Sequence, residues 1–238
     1  RLIRLNRFVS NHRIKFAGAL LAHHLKMRHL FLRFDPVMAC NLRCTMCYFS
    51  DEEYRRKAKG VFRKDEIERI AELLFPRTLQ VVFGCGTEPT LYRDYADLVR
   101  IAKSYGVPFI GFTSNGQLLT EESISKLIEY GLDELALSVH GMKKETYERF
   151  MVNSSFEKFH NVLGKLEYLR KSPGAPNLRL NYTVNSENLD ELGLFFDVFG
   201  KYTINTLQVR PVMDIGGQYR SALQQPEIDK YKHIIGDL

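Results

Sequence analysis

At 238 residues with 45% hydrophobic content, the chain can bury a full core, most simply as one domain with an appendage. The longest apolar run near its start, Phe16 to Ala22, is shorter than the roughly 18 residues of a membrane span, and His23, His24 and Lys26 behind it make a poor signal peptide. The net charge of +6 invites a nucleic-acid partner, yet residues 1–34 carry eight Lys or Arg and no Asp or Glu, leaving 26 basic against 28 acidic residues elsewhere.

The basicity therefore belongs to an N-terminal arm (Arg1, Arg4, Arg7, Arg13, Lys15, Lys26, Arg28, Arg33), and the body carries a net −2. That balance argues against a nucleic-acid substrate. A basic arm of this kind is most simply a solvated helix face, with contact to an anionic lipid, phosphate or acidic partner as the alternative. Four cysteines, three of them clustered, do not form an extracellular disulfide framework and suit a reducing cytoplasm. The opening on Arg1 rather than Met reads as an excerpt of a longer protein.

In chain order, Ile14, Ala17, Leu21 and Leu25 recur at near-helical spacing between Val9 and Arg28, with Asn11 or Ser10 as cap. This predicts a basic amphipathic helix over 11–28, packed on the outside or bottom of the body. His29 to Phe34 reads as a strand ended by Asp35-Pro36, and a charged loop runs from Ser50 to Gly60. An alternation then follows. Helices are expected at Lys64–Leu74, Asp94–Tyr105, Thr120–Tyr130, Lys143–Phe150, Phe156–Lys171, Leu189–Phe199 and Pro226–Ile235. Strands are expected at Leu79–Phe83, Pro108–Thr113, Glu134–Val139, Leu178–Val184 and Leu207–Val212. Six β/α units with short loops predict a parallel sheet. Runs such as Val81-Val82-Phe83 and Ile110-Gly111-Phe112 suggest strands covered on both faces. Ligands of such sheets bind outside the carboxyl ends of the strands.

The loop leaving the first strand holds Cys40, Cys44 and Cys47, spaced C-x3-C-x2-C. A disulfide would leave one thiol over. A structural zinc site would need a fourth ligand at short range, and the nearest downstream cysteine is Cys85. An iron–sulfur cluster can take three thiolates and keep one iron open. At the second strand end stands Gly84-Cys85-Gly86-Thr87-Glu88-Pro89, whose glycines permit close backbone approach by a small zwitterion. Cys85 reads as a small buried residue. Thr113-Ser114-Asn115-Gly116 closes the third strand, with Asn115 either a turn residue or a ligand contact.

These residues in this order resemble the radical S-adenosylmethionine (radical SAM) enzymes, over about residues 29–215. The resemblance implies a partial, open (β/α)6 barrel over residues 29–238, preceded by the arm of residues 1–28. It implies a 4Fe-4S cluster on Cys40, Cys44 and Cys47, with S-adenosyl-L-methionine chelated at the fourth iron. It also implies cofactor contacts at Gly86, Thr87 and Glu88, at Asn115 and at Ser138. Met46 stands where the family usually has an aromatic, and Tyr48 supplies one two residues later. Thr87 replaces a glycine, His140 replaces a common Asp, and Met151 falls where the family has a carboxylate-binding arginine. Arg149 is near, although pairing with Glu145 is its simpler reading. His140 reads as structural in the first place, and Arg210 is the best substrate-anion residue on the last strands.

The implied reaction is reductive cleavage of S-adenosylmethionine to a 5′-deoxyadenosyl radical, which abstracts hydrogen from the substrate. The pattern looks most like the branch acting on peptides or proteins, and a carbohydrate or other small metabolite is the alternative. The electron comes from a donor such as flavodoxin or ferredoxin. No cysteine follows Cys85, so any C-terminal auxiliary-cluster extension is expected outside this chain. The rival from another class is a non-catalytic zinc- or cluster-binding module that holds nucleic acid with its basic arm.

Overall fold

The computed structural model describes residues 11–171, 174–213, 215, 217, 219 and 223–237. Arg1, Arg4, Arg7, Val9 and Ser10 of the expected arm lie outside the described residues, as do parts of the loop after the last strand. The strands are β1 (Leu30–Phe34), β2 (Thr78–Phe83), β3 (Phe109–Ser114), β4 (Glu134–Val139), β5 (Asn177–Val184) and β6 (Thr206–Pro211). Each pairs in parallel with the next in sequence, and β1 and β6 are the free edges. The expected open (β/α)6 half-barrel is the observed fold.

The helices are α1 (His12–His24), α2 (Glu52–Lys57), α3 (Lys64–Leu74), α4 (Tyr95–Ser104), α5 (Glu121–Glu129), α6 (Lys144–Phe150), α7 (Phe156–Leu169), α8 (Phe195–Phe199) and α9 (Gln225–Asp237). The core lies between the sheet's outer face and its helices. Phe83, Ile110, Phe112, Leu137, Leu180 and Val184 pack there with Ile67, Leu98, Leu127, Phe159 and Leu163. Val81-Val82-Phe83 and Ile110-Gly111-Phe112 are buried at every residue, as strands covered on both faces should be, whereas the last strands are more open on their inner face. On β5 the buried Leu178, Leu180, Tyr182 and Val184 alternate with the half-buried Arg179, Asn181 and Thr183. Register aligns Ser138 with Asn181 and Asn181 with Gln208 across three strands. Around β4, β5 and β6 this row makes the inner wall polar.

Three local expectations need correction. The charged loop after the cysteines contains α2, capped by Asp51, whose carboxylate accepts from the Tyr54 amide at 2.7 Å. The helix expected at Leu189–Phe199 is split, with a tighter 3-10 stretch from Leu189 to Leu194 before α8. Most consequentially, α1 forms but buries none of its residues. Ile14, Leu21 and Leu25 are each about 60% exposed, and Phe16 is 73% exposed. Their column is thin in the middle, at Ala17 and Gly18, and Phe16 and Leu20 project elsewhere. No face is wide enough to dock as amphipathic helices do.

What anchors this end of the chain is Arg28. Its guanidinium donates to the carbonyls of Phe75 (2.7 Å), Thr78 (2.9 Å) and Tyr105 (2.6 Å). Arg28→Ala is expected to lower stability by about 2–3 kcal/mol, because three half-buried carbonyls lose a charged donor. A Phe16→Ser/Leu21→Ser variant is expected to stay within about 0.5 kcal/mol, as exposed positions do. Urea denaturation of both variants checks the contrast.

Candidate functional site

The cysteine loop is mounted on neighbours from every side. Val37 bridges Val61, Met38 N–H donates to Gly60 at 2.8 Å, and Phe62 N–H donates to Pro36 at 3.0 Å. Arg43 and Thr45 amides donate to the carbonyls of Val152 and Phe150, each at 2.9 Å. Glu88 N–H reaches the Ala39 carbonyl, and Tyr219 N–H the Thr45 carbonyl, again at 2.9 Å. Leu42 is buried, and Met46 packs with Phe150 and Val212 while its sulfur accepts from Asn185 Nδ2 at 3.2 Å. The unbranched, flexible Met46 side chain fits this closed pocket, and the aromatic at Tyr48 reaches instead to the next loop at Gly86.

Cys40, Cys44 and Cys47 are free thiols, each half-buried. Burial pushes the Cys40 thiol up to about 11 and the Cys44 thiol well above its usual value, and neighbouring thiolates push the same way. Three bare thiolates are therefore disfavoured, and a group that ionises all three must bring positive charge. Donors to sulfur are already in place. Leu42 N–H approaches Cys40 Sγ at 3.4 Å, and Asn115 Nδ2 lies 4.0 Å away. Among the described residues, no three His, Cys, Asp or Glu side chains converge as they would around a single metal ion. A cluster whose irons each take one thiolate does not require that convergence.

The turn after β2 is built around Asp35, a residue that sequence reading treated only as a strand terminator. Its carboxylate accepts from the amides of Cys85 (2.8 Å), Gly86 (3.1 Å) and Thr87 (3.3 Å), and from Thr87 Oγ1 (2.9 Å). The donors of this nest are thus satisfied internally, and what the turn retains for a ligand is acceptor character. An Asp one strand away from a Gly-rich turn was the available signal. Gly84 has φ +79°, and a side chain there would overlap the Thr113 carbonyl. Tyr48 Oη donates to the Gly86 carbonyl at 2.5 Å, and a Cβ on Gly86 would overlap that hydroxyl.

Two residues expected to meet the cofactor make internal hydrogen bonds. Thr87 gives its amide and hydroxyl to Asp35. Glu88 is 2% exposed, and its carboxylate accepts from Thr90 Oγ1 (2.6 Å), Ser114 Oγ (2.8 Å), Asn115 N (2.8 Å) and Thr90 N (3.2 Å). Burial raises its pKa against the pull of these donors. Glu88 is a brace between the second and third loops. Asn115 is a turn residue, its Oδ1 accepting from Gln117 N at 2.9 Å, and its Nδ2 donates to Asn41 Oδ1 at 2.8 Å. Cys85, expected buried, is exposed, with its sulfur 3.8 Å from Arg33 Nη1.

Ser138 lies half-buried on the inner wall, level with Asn181. Asn181 Oδ1 and Arg179 Nε are buried without a hydrogen-bond partner, although Arg179 Nη2 pairs with Glu134 at 3.2 Å. Such atoms suit a polar ligand. Arg149 pairs with Glu187 rather than Glu145, at 2.5 Å, and Met151 is buried. Arg210 is exposed and donates to Gln208 Oε1 at 2.6 Å.

His140 takes the Thr183 amide on Nδ1 at 3.3 Å, which places its proton on Nε2. Burial lowers its pKa to about 4 from the ordinary 6.5. Folding thus favours the neutral ring, and the stability this gives is complete above 6.5 and lost as pH falls toward 4. Its NMR resonance is expected to stay flat from pH 8 to 6 and to move near pH 4. A midpoint near 6.5 would show the ring to be solvated.

The family model described as the radical SAM superfamily matches residues 36–194. The chain belongs to the radical SAM superfamily of enzymes. Members use a 4Fe-4S cluster and S-adenosylmethionine. A probable GTP 3′,8-cyclase of Saccharolobus islandicus is 27% identical over 185 residues, covering 76% of this radical SAM chain and 57% of the relative. One of Sulfurisphaera tokodaii is 27% identical over 161 residues, covering 68% and 49%. The chain thus spans about half the length of these relatives. Among solved structures, Streptococcus suis SuiB bound to S-adenosylmethionine superposes with TM-score 0.72 at 16% identity, covering 92% of this chain and 50% of that one. Methylornithine synthase superposes with TM-score 0.63 at 19% identity, covering 90% and 65%. At such identities these two report the fold alone. No helix among the described residues is long and apolar enough to cross a membrane.

Proposed function

We propose that this radical SAM chain holds a 4Fe-4S cluster on Cys40, Cys44 and Cys47 and generates a radical that abstracts hydrogen from a small, polar, anion-bearing metabolite. The observation that carries this reading is the placement of three free thiols, on one braced loop, at the mouth of a half-barrel whose inner wall keeps Asn181 Oδ1 and Arg179 Nε unpartnered. The donor set and those orphaned atoms fit the two cofactors. When bound, cluster and S-adenosylmethionine supply one-electron cleavage of the sulfonium and a hydrogen-abstracting carbon radical. The protein's part is to hold and shield. Leu42 N–H and Asn115 support Cys40, and the Asp35-locked turn offers carbonyls to the methionyl amino group. Ser138 stands level with Asn181 for the ribose.

The small-metabolite reading replaces the first expectation of a peptide or protein. It is supported by relatives named as GTP 3′,8-cyclases and by the cations Arg33, Arg179 and Arg210 along the inner side of the sheet. Peptide-bound SuiB shares the fold at 15% identity and does not extend to substrate.

The test is anaerobic reconstitution with iron and sulfide, then assay of 5′-deoxyadenosine with dithionite and S-adenosylmethionine. GTP, other nucleotides and sugar phosphates are then added in turn. Formation of 5′-deoxyadenosine that rises with one of these anions is expected. Absence of S-adenosylmethionine cleavage sinks the catalytic reading, and stimulation by peptides alone sinks the substrate reading.

A further inference from the structure

The segment directly after the cysteine loop carries charge that the site does not use. Residues 55–64 contain six Lys or Arg and no Asp or Glu. Three of those charges are matched or folded back. Arg55 donates to the Phe49 and Ser50 carbonyls (3.0 and 3.3 Å), Lys57 pairs with Glu53 (2.6 Å), and Arg63 pairs with Asp65 and Glu66 (2.9 and 3.1 Å). Arg56, Lys59 and Lys64 are exposed and make no ion pair among the described residues. Between them Val61 is 63% exposed and Phe62 38%. An apolar centre rimmed by cations is the composition of a protein-docking surface, and its charge selects an acidic partner.

The patch is fixed to both flanks of the cysteine loop. On one flank, residues 60–62 are stitched to 36–38 by two hydrogen bonds and the Val37–Val61 bridge. On the other, Tyr48, next to Cys47, packs against Tyr54 of α2 in a tilted contact with ring centroids 4.6 Å apart. A partner seated on Val61 and Phe62 therefore lies against the strand of backbone paired with residues 36–38, which lead into Cys40.

We propose that Arg56, Lys59, Lys64, Val61 and Phe62 form the docking surface for an acidic one-electron donor protein of the flavodoxin class. This rests on the radical SAM reading above. The donor loses one electron and the oxidised cluster gains it, and no other bond changes. The local cations orient the encounter as well as hasten it.

The experiment uses the reconstituted chain and a reduced bacterial flavodoxin, with cluster bleaching followed by stopped flow at low ionic strength. Arg56→Glu/Lys59→Glu/Lys64→Glu is expected to slow reduction by flavodoxin about tenfold or more. Its rate should also lose the steep decline with salt seen in the parent. Reduction by dithionite, and S-adenosylmethionine cleavage driven by it, should be unchanged. The charge-neutral Arg56→Gln/Lys59→Gln/Lys64→Gln variant should fall between. Unchanged flavodoxin kinetics in the Glu variant overturn the proposal, as does an equal slowing with dithionite, which would place the effect on the cluster. Failure of the parent to cleave S-adenosylmethionine with dithionite is a different result and strikes the catalytic reading instead.

Discussion

Cys44→Ala is expected to abolish the brown chromophore of the reconstituted protein, or leave a labile remnant, and to take S-adenosylmethionine cleavage to background. Cys40→Ala and Cys47→Ala should do the same. The reason is stoichiometric and electrostatic together. In the proposed cluster three thiols would serve three irons, so each loss would open a second iron to solvent and exchange. Cys44 is the thiol whose ionisation is most strongly opposed by burial and by its two neighbours. It becomes a thiolate only through the positive charge it binds. The matched control is Cys85→Ala, whose exposed sulfur sits beside Arg33 and is expected to leave iron, sulfide and spectrum unaltered. Metal and sulfide analysis with visible spectroscopy decides. A triple variant lacking all three loop cysteines that kept its iron would refute the assignment.

Glu88→Ala is expected to be the most destabilising single change in the site, at roughly 3–5 kcal/mol. It leaves the hydroxyls of Thr90 and Ser114 and the amides of Thr90 and Asn115 without their acceptor in a site closed to water. Glu88→Gln keeps the shape and one oxygen, and is expected to cost about 1–2 kcal/mol. The effect should reach the cluster, since Asn115 holds Asn41 and lies beside Cys40. Reconstituted iron content should therefore fall in Glu88→Ala even at temperatures where the variant remains folded. Denaturant midpoints give the first quantity and iron per chain the second. A loss under about 1 kcal/mol would show that the four donors find other partners.

The layout of the barrel was readable because its signals are local. Lys64–Leu74 and Glu134–Val139 appear as expected to the residue, and the other strands shift by only a residue or so. Apolar periodicity and Gly, Pro or Asn at strand ends carry that information within a few positions. What was not readable depends on partners distant in sequence. Asp35 meets Cys85–Thr87 only once β1 lies beside β2, and Glu88 meets Ser114 only once β2 lies beside β3. Cys85 is exposed because it stands in the turn beyond β2, past the buried run Val81-Val82-Phe83. Helix α2, with the sequence Glu-Glu-Tyr-Arg-Arg-Lys, has no apolar stripe to announce it. Its support is the Asp51 cap and the rings around Tyr54.

The bracing of the cysteine loop also sets an order of events. Its contacts come from residues 60–62, 86–88, 115, 150–152, 185 and 219, so almost every later segment of the barrel contributes one. The loop cannot reach its final shape before residues up to 219 have emerged and the later strands have joined the sheet. Sheet closure therefore comes first, and iron arrives last, at a receptacle already assembled. Delivery machinery meets a finished barrel, and the iron-free protein is a folded intermediate on the route to the holoenzyme.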